Sequence, residues 1–449
     1  MNAVVISVLI MLILSIARVH VVLSLFIAAL VAGLTAGMGL QDTMVTFQEG
    51  LSGGARIALS YALLGAFAMA VANSGLPQLL ADILVKRMNS ADPEKSQRVA
   101  LWTKWGMISM IVAMGVMSQN LIPIHIAFIP LIVPPLISVM NRLNLDRRAV
   151  ACAITFGIVT TYMFLPIGFG RIYLHDILFS NIEKAGMDLT GISPTVAMAI
   201  PAASMFIGLL TALFFSYRKP REYAQAESSY VSHVESINML KVWGAIAAII
   251  VCFVIQTWLT IIDSQADPLL IGALVGLSML LMMRVVPWGQ ADDVFSGGMK
   301  MMSLIGLIMI TAQGYASVLN ASGSIEPLVE HTAALFAGSK ALASLAMLVV
   351  GLLITMGIGS SFSTIPILAA IYVPLCSTLG FSPLATVALI GTAGALGDAG
   401  SPASDSTLGP TTGLNIDGQH DHVRDTVIPT FLHYNIPLTI GGWIAAMVL

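Results

Sequence analysis

Ten apolar stretches divide this chain, most of them close to the roughly 20 residues that a helix needs to cross a bilayer core of about 30 Å. Eight run without interruption, at 3–17, 20–38, 56–85, 195–217, 238–262, 269–286, 303–320 and 430–449. Two more, 148–170 and 383–408, begin apolar and break at Leu165-Pro166-Ile167-Gly168-Phe169-Gly170 and at Gly397-Asp398-Ala399-Gly400-Ser401-Pro402. Of the 449 residues 57% are hydrophobic and only 10% charged, with mean hydropathy +0.90. A soluble domain carries about 25% charge, so the fold class is an all-α polytopic membrane protein. Met1-Asn2 leads directly into Ala3-Val4-Val5-Ile6 with no basic n-region or small-residue cleavage site, and the first segment is expected to remain as a helix. Cys152, Cys252 and Cys376 all fall in apolar segments and read as small buried hydrophobes.

Between the spans lie 99–140 and 341–378, each an apolar arm, a polar tip and a second arm containing prolines. Both read as re-entrant hairpins, and the two interrupted spans as discontinuous helices. Polar backbone at that depth is tolerated where it lines a cavity, so the matched pair points to a transport site. Phe47-Gln48-Glu49-Gly50 and Phe295-Ser296-Gly297-Gly298 share one offset with Asn73-Ser74-Gly75 and Ala321-Ser322-Gly323, and Ile-Pro-Ile recurs at Ile122 and Ile365. A duplication follows. The first repeat is 1–217, with its hairpin at 99–140 and broken helix at 148–170. A cytoplasmic linker, 218–237, leads to the second repeat, 238–449, with hairpin 341–378 and broken helix 383–408. Five crossings plus a hairpin make each repeat odd, so the second copy enters from the opposite side and the repeats are inverted. Placing loops 86–98 and 141–148 in the cytoplasm leaves only Arg56, Arg171, Lys184 and Lys340 outside, and puts both termini on the exterior of a bacterial inner or plasma membrane. Segments 40–55, 171–184, 288–302 and 418–430 mix charge with apolar residues and read as interfacial amphipathic arms.

Ionisable side chains are scarce inside the spans, which makes Asp398 and Asp405 the first functional candidates. Around them Ser401, Ser404 and Thr407, with carbonyls freed by the break, form an oxygen-rich set suited to an alkali cation, and the same carboxylate could hold a proton instead. The structural alternative is that Asp398 caps a helix and Asp405 lies at the cytoplasmic rim. Thr161, beside Thr160 before the first break, and Thr392 in the second repeat form a candidate pair of hydroxyls near the midplane. The tips offer Ser118, Gln119 and Asn120 on one hairpin and Ser360, Ser361, Ser363 and Thr364 on the other as substrate contacts, with half-helix N-termini nearby. Alternatively these side chains only satisfy the broken backbone. His125, one turn past the first tip, is a further substrate candidate or a satisfied core residue. Asn73, Gln313 and Asn320 read as helix-to-helix hydrogen bonds, and Arg171 as an interfacial anchor. His420, Asp421 and His422 resemble metal ligands in type, but neighbours of this kind on an arm are expected to be solvated, so no metal beyond Na⁺ is expected.

The chain has no Walker motif, no His-Glu-x-x-His and no nucleophile elbow, so ATP-driven pumping and intramembrane hydrolysis lack their parts. No enzyme activity, cofactor or nucleic-acid partner is expected. The partners are the lipid bilayer and a small ion or solute, driven by an ion gradient. Both tips and the second break lack basic residues, which speaks against a multiply charged anion.

Gly397-Asp398 followed by Ser401-Pro402-x-Ser404-Asp405-Ser406-Thr407 resembles the Gly-Asp-x-x-Ser-Pro-x-Ser-Asp-Thr-Thr signature of NhaC-type Na⁺/H⁺ antiporters, with Ser406 in place of the usual Thr. The length and the Gly-Ser-Ser-Phe-Ser-Thr tip are similar to a compact branch of Na⁺/H⁺ antiporter family proteins within the ion-transporter superfamily. That resemblance implies inverted repeats, paired hairpins, elevator-like motion and a homodimer. It implies Na⁺ and H⁺ as transported or coupling ions. Two functions follow as expectations: Na⁺/H⁺ antiport with Asp398 and Asp405 alternating between cation and proton, or Na⁺- or H⁺-coupled uptake of a small amino acid such as histidine at the two tips. Organic-acid exchange is the third reading, and a passive channel is disfavoured.

Overall fold

A computed structural model describes residues 2–17, 19–76, 79, 97–120, 129, 133, 136, 137, 139–141, 143–224, 238–262, 266–336, 339–358, 360–402 and 404–449. Among the described residues the secondary structure is helical throughout, without a strand. Five helices among the described residues are long and apolar enough to cross a bilayer, six when the bent pair Arg147–Phe164 and Phe169–Lys184 counts as one span, and five further apolar helices are shorter. The sequence reading expected ten crossings. The protein is an integral membrane protein of all-α architecture.

The frame is built on α3 (Gly39–Ala72), which follows α1 (Ala3–Ile16) and α2 (Val21–Thr35). Its partner, Ala291–Ala321, lies along it so closely that side chains are excluded. A Cβ added at Gly298 would meet the backbone of Gly65 and Ala66 at 2.4 Å, one at Gly306 would meet Ala58, and one at Gly50 would meet the Gly314 Cα at 2.9 Å. Contact positions rise along one helix as they fall along the other, so the pair is antiparallel. Small residues permit this approach because lipid offers no hydrophobic drive for association, leaving packing to hold the helices. Tyr315 on the second of these helices bonds Ser7 at 2.9 Å and thereby ties α1 to the frame.

The expected interfacial arms are corrected here. Residues 40–55 lie inside the 34-residue helix α3, and 291–302 inside the 31-residue helix Ala291–Ala321. Residues 171–184 continue the second limb of the bent pair, and 422–430 open a continuous helical run, His422–Val448, with π-helical turns. At 40–55 and 291–302 the charged stretch runs into the span as one unbroken helix, whereas 171–184 lies beyond the break at 165–168.

α4 (Gln97–Asn120) packs on α5 (Arg147–Phe164) through glycines: a Cβ at Gly157 would lie 2.8 Å from the Val112 carbonyl oxygen and 3.0 Å from Gly115 Cα. The remaining elements in chain order are α6 (Phe169–Lys184), α7 (Ala199–Ser216), α8 (Met239–Ile261), α9 (Pro268–Met282), α10 (the frame helix Ala291–Ala321), α11 (Ile325–Leu335), α12 (Lys340–Ile358), α13 (Ser361–Leu379), α14 (Pro383–Ala395), α15 (Asp405–Leu414) and α16 (His422–Val448). One large apolar core joins α5, α6, α13 and α14, and it surrounds the two helix breaks.

At one end of the molecule the polar ends of several elements lock together. The fully buried Arg147 forks onto Asp417 at 2.6 and 2.5 Å, donates to the Leu414 carbonyl at 2.9 Å and stacks on Tyr223. Arg221 pairs with Asp425 at 2.7 Å, and Gln419 exchanges hydrogen bonds with the backbone of Ala224. Residues 218–224, the start of the expected linker, are thus pinned to the loop after α15. At the opposite end Lys340 donates to the Gly380 carbonyl at 2.5 Å and Ser382 to the Leu449 carbonyl at 3.0 Å. The three cysteines are free and buried.

Candidate functional site

The second break begins where Gly397 adopts φ +86, a left-handed conformation that a side chain would strain. A Cβ there would also press on Met356 N at 2.9 Å and the Leu352 carbonyl at 3.0 Å, so the conformation and the packing against α12 both require glycine. After one 3₁₀ turn, Asp398–Gly400, the backbone is extended at Ser401 and re-enters a helix at Asp405. Backbone groups freed by the break are recovered one by one. Gly397 N–H donates to Asn435 Oδ1 at 3.0 Å, and Thr407 donates to the carbonyls of Ser401 and Ser404 at 2.5 and 2.9 Å. Ser401 donates to the Met356 carbonyl at 3.3 Å, and Ser404 caps α15 by accepting the Ser406 N–H at 3.1 Å. This recovery is what permits an irregular segment within a membrane helix.

The first break mirrors it. Leu165 is extended, Gly168 takes φ +58, and α5 and α6 meet at 51°. The two broken helices face each other. Thr155 on α5 donates to the Ser406 carbonyl at 2.9 Å, Tyr162 reaches Asp398, and Tyr173 on α6 donates to the Gly391 carbonyl at 2.7 Å.

Asp398 is the chemical centre of this crossing. Its side chain is buried, 6% exposed. Oδ2 accepts from the Tyr162 hydroxyl at 2.5 Å, Oδ1 accepts from Ser404, and the hydroxyls of Ser361 and Ser406 interact with the same carboxylate. Ser361 Oγ lies 2.7 Å from the Tyr162 oxygen. No ion pair to Asp398 occurs among the described residues. A carboxylate with about four lone-pair directions is therefore met by neutral hydroxyls alone. Rings enclose one side: Phe362 lies 5.2 Å from Tyr162, 5.4 Å from Phe169 and 5.3 Å from Tyr173, centroid to centroid.

The structure brings together Asp398, Ser404 and Ser361 from the expected set. Ser401 and Thr407 are buried beside them but spend their protons on carbonyls of the break and of α12. Asp405 opens α15 at its first position, where the helix dipole favours a negative charge, and its side chain is exposed. Thr161 donates to the Gly157 carbonyl of its own helix, and Thr160 faces Met205 Sδ at 3.5 Å. Ser363 and Thr364 both donate to the Ser360 carbonyl, at 3.1 and 2.8 Å, and Ser360 is the N-cap of α13 without a side-chain bond of its own. Ser118, Gln119 and Asn120 close α4, with side chains outside the described set, and His125 lies outside the described residues altogether.

Tyr162 and Ser406 were not among the residues singled out from the sequence. Ser406 stands two residues after Ser404 in the same motif, and its neighbourhood was the available signal. Tyr162 follows the Thr160-Thr161 pair, where an aromatic in an apolar helix carries no local mark of a polar partner.

The His420-Asp421-His422 reading is also corrected. His420 is fully buried, with Nε2 at 2.7 Å from Thr426, and burial pushes its imidazole down to about 4. His422 spans from Thr411, 2.8 Å from Nδ1, to the Pro402 carbonyl, 2.9 Å from Nε2, so it braces the break from behind. Asp421 caps the start of α16 by accepting from Arg424 N at 2.7 Å. The loop is drawn inward because α15 and α16 pack against α5 on either side of it.

Known proteins resemble this chain over most or all of its length. The profile of the Na⁺/H⁺ antiporter family matches residues 153–443, which contain both breaks, and a second profile of a Na⁺-H⁺ antiporter family matches 2–88. A membrane protein of Vibrio parahaemolyticus is 52% identical, with 100% of both chains covered. YuiF of Bacillus subtilis, a candidate amino acid transporter by its name, is 47% identical over 100% of each chain. Among solved structures the Alcanivorax borkumensis YdaH transporter superposes with TM-score 0.59 at 16% identity, covering 91% of this chain and 88% of its own. Neisseria gonorrhoeae MtrF, from a class of antimetabolite efflux pumps, gives TM-score 0.58 at 16% identity, covering 92% and 85%. At that identity the two structures speak to the fold alone.

Proposed function

Because this chain belongs to the Na⁺/H⁺ antiporter family and is a secondary transporter, not an enzyme, we propose that it exchanges Na⁺ for H⁺ by alternating access, with Asp398 carrying each in turn. One observation bears the weight: a buried carboxylate inside a broken membrane helix, contacted by hydroxyls and by no cationic side chain among the described residues. An ionised carboxylate so placed costs several kcal/mol unless compensated. A proton neutralises it, and so does a Na⁺ ion, a hard cation suited to hydroxyl and carbonyl oxygens such as those of Ser361, Ser404 and Ser406. Both loads compete for the same oxygens, so uptake of one expels the other.

The access change we assign to motion of the hairpin and broken helices against the α3–α10 frame. We read the two repeats as inverted, and that reading supports this assignment. The contacts Gly50 to Gly314 and Gly298 to Ala66 interconvert under the same 248-residue shift that relates the sequence repeats, and that shift also pairs Ala58 with its contact Gly306. An antiparallel pair related in this way is what a two-fold axis in the membrane plane produces.

Coupled uptake of a small amino acid is the second reading. It draws on the name of YuiF and on the N-terminus of α13, whose amides receive no side-chain cap and face the Asp398 network through Ser361. Proteoliposomes decide between the two. Na⁺-driven proton movement with no organic solute present is the expected result. Proton or Na⁺ currents that appear only when an amino acid is added would replace antiport by the permease reading.

A further inference from the structure

A hydroxyl both gives and takes a hydrogen bond through one oxygen, so a row of hydroxyls has a direction that can reverse. Such a row runs from Asp398 to the first residue of α13. Asp398 Oδ2 accepts from Tyr162 at 2.5 Å, and the Tyr162 oxygen lies 2.7 Å from Ser361 Oγ. The phenol has a single proton. While Asp398 is ionised its oxygens can only accept, so Tyr162 gives its proton to the carboxylate and Ser361, whose hydroxyl also interacts with that carboxylate, supplies the proton between the two hydroxyls. When Oδ2 is protonated, two donors would face each other. The conflict is relieved by reversal: Asp398 donates to Tyr162, Tyr162 donates to Ser361, and the Ser361 proton must find another acceptor. A bound Na⁺ leaves the carboxylate ionised and the row in its first direction.

We propose that Tyr162 is a positioning residue that reports the load on Asp398 to the hairpin tip, so that the hold of Ser361 on α5 differs between the Na⁺-loaded and H⁺-loaded protein. This rests on the reading of Asp398 as the site loaded by both ions. Packing fixes the reporter in place, because the Tyr162 ring is edge-on to Tyr173 at 4.9 Å and against Phe362, the neighbour of Ser361, at 5.2 Å. Oδ1 faces Ser404, whose oxygen already accepts the Ser406 N–H, which leaves Oδ2 the carboxylate oxygen with the more adaptable partner.

The titratable groups around Asp398 are few. From α5 comes Tyr162 itself, and from α6 Tyr173, whose hydroxyl is committed to Gly391. From α15 comes Asp405. On α16, His422 holds the Pro402 carbonyl, Asp425 is paired with Arg221, Arg424 is exposed, and His433 is bonded to Ser216 and the Pro429 carbonyl.

The test uses Tyr162→Phe, which keeps the ring contacts and removes the row, together with Ser361→Ala, which removes its far end and the Ser361 interaction with the carboxylate. In proteoliposomes under a Na⁺ gradient, Tyr162→Phe should move the half-maximal pH of exchange upward by about one unit, a tenfold change in proton affinity, because the ionised carboxylate loses a charge-assisted bond. Ser361→Ala should move it the same way by less, and the double variant by less than the sum of the two. Single variants with wild-type profiles, or shifts that add in the double variant, overturn the proposal. A readout independent of transport is amide hydrogen exchange of residues 361–365 in the full chain at about pH 6 and about pH 9, corrected for intrinsic rates. Protection should change with pH in the wild type and not in Tyr162→Phe. An equal response in both sinks the role of Tyr162, whereas wild-type protein that moves no protons against Na⁺ while showing this difference sinks only the antiport reading.

Discussion

Asp398 differs from every other acidic residue described at depth in that its partners are all neutral. Asp398→Asn keeps the size and removes the charge, and it should reduce Na⁺-driven proton flux in proteoliposomes to the level of empty vesicles while yielding folded protein. Full activity in that variant would remove the residue from the mechanism. Asp417 shows the contrasting case, a carboxylate fully paired at the membrane end. Burial alone would raise its carboxyl, but the hydrogen bonds and charge of Arg147 outweigh burial and hold it below the ordinary carboxylate range. A depressed folded value means that this stabilisation is complete above the unfolded pKa of about 3.9 and is lost as pH falls through the folded value. Asp417→Asn, which strands the buried Arg147, should therefore cost about 3 kcal/mol near neutral pH. The gap from wild type should close in acid, measured by detergent-phase thermal unfolding. A gap that is unchanged at acid pH would show that the pair contributes by packing alone. His420 and Tyr162 carry a common lesson at this scale: residue type was legible in the sequence, but burial and partner were not, because each is set by an element distant along the chain.

Among the elements, the interrupted helices were the most readable. Gly397, Gly168, Pro166 and Pro402 are backbone instructions that act locally, and the breaks fall where those residues stand. Gly397→Ala should cost about 1–2 kcal/mol for the left-handed backbone alone, with the clash on Met356 added, and should lower transport and thermal stability together. Wild-type stability in that variant would mean that the segment adjusts freely. The expected arms were misread for the complementary reason. A run such as Gln41-Asp42-Thr43 at the start of α3 has the composition of an interface, and only packing against neighbouring helices keeps it in register with the span that follows. Likewise Thr407 at the second break was expected as an ion contact and Ser363 and Thr364 at the second hairpin tip as substrate contacts, but their protons go to backbone carbonyls of the break and of the tip. The local accounting of backbone groups assigned them to structure first.

For the molecule as a whole, the α3–α10 pair gives the firmest test of how the parts move. A Cβ at Gly306 would stand 3.1 Å from Ala58 Cβ, close to disulfide range. The pair Ala58→Cys and Gly306→Cys should therefore crosslink on oxidation. If α3 and α10 form the static frame, the crosslinked protein should keep at least about half of its exchange rate, since a disulfide there constrains no moving part. Exchange abolished by oxidation and restored by reduction would place the motion within this pair and defeat the proposed division.

By itself, the sequence determined the environment, the helical class, the two interruptions and the carboxylate placed at one of them. Each of these follows from energies that act within a turn or two: the transfer of apolar side chains, the conformational freedom of glycine and the missing N–H of proline. The tertiary structure alone decided that Tyr162 and Ser361 meet Asp398, that the charged stretches continue the spans, and that the His420 loop is drawn inside. Those outcomes depend on which helices lie side by side, and contacts between residues some 200 positions apart leave no periodic trace in either partner.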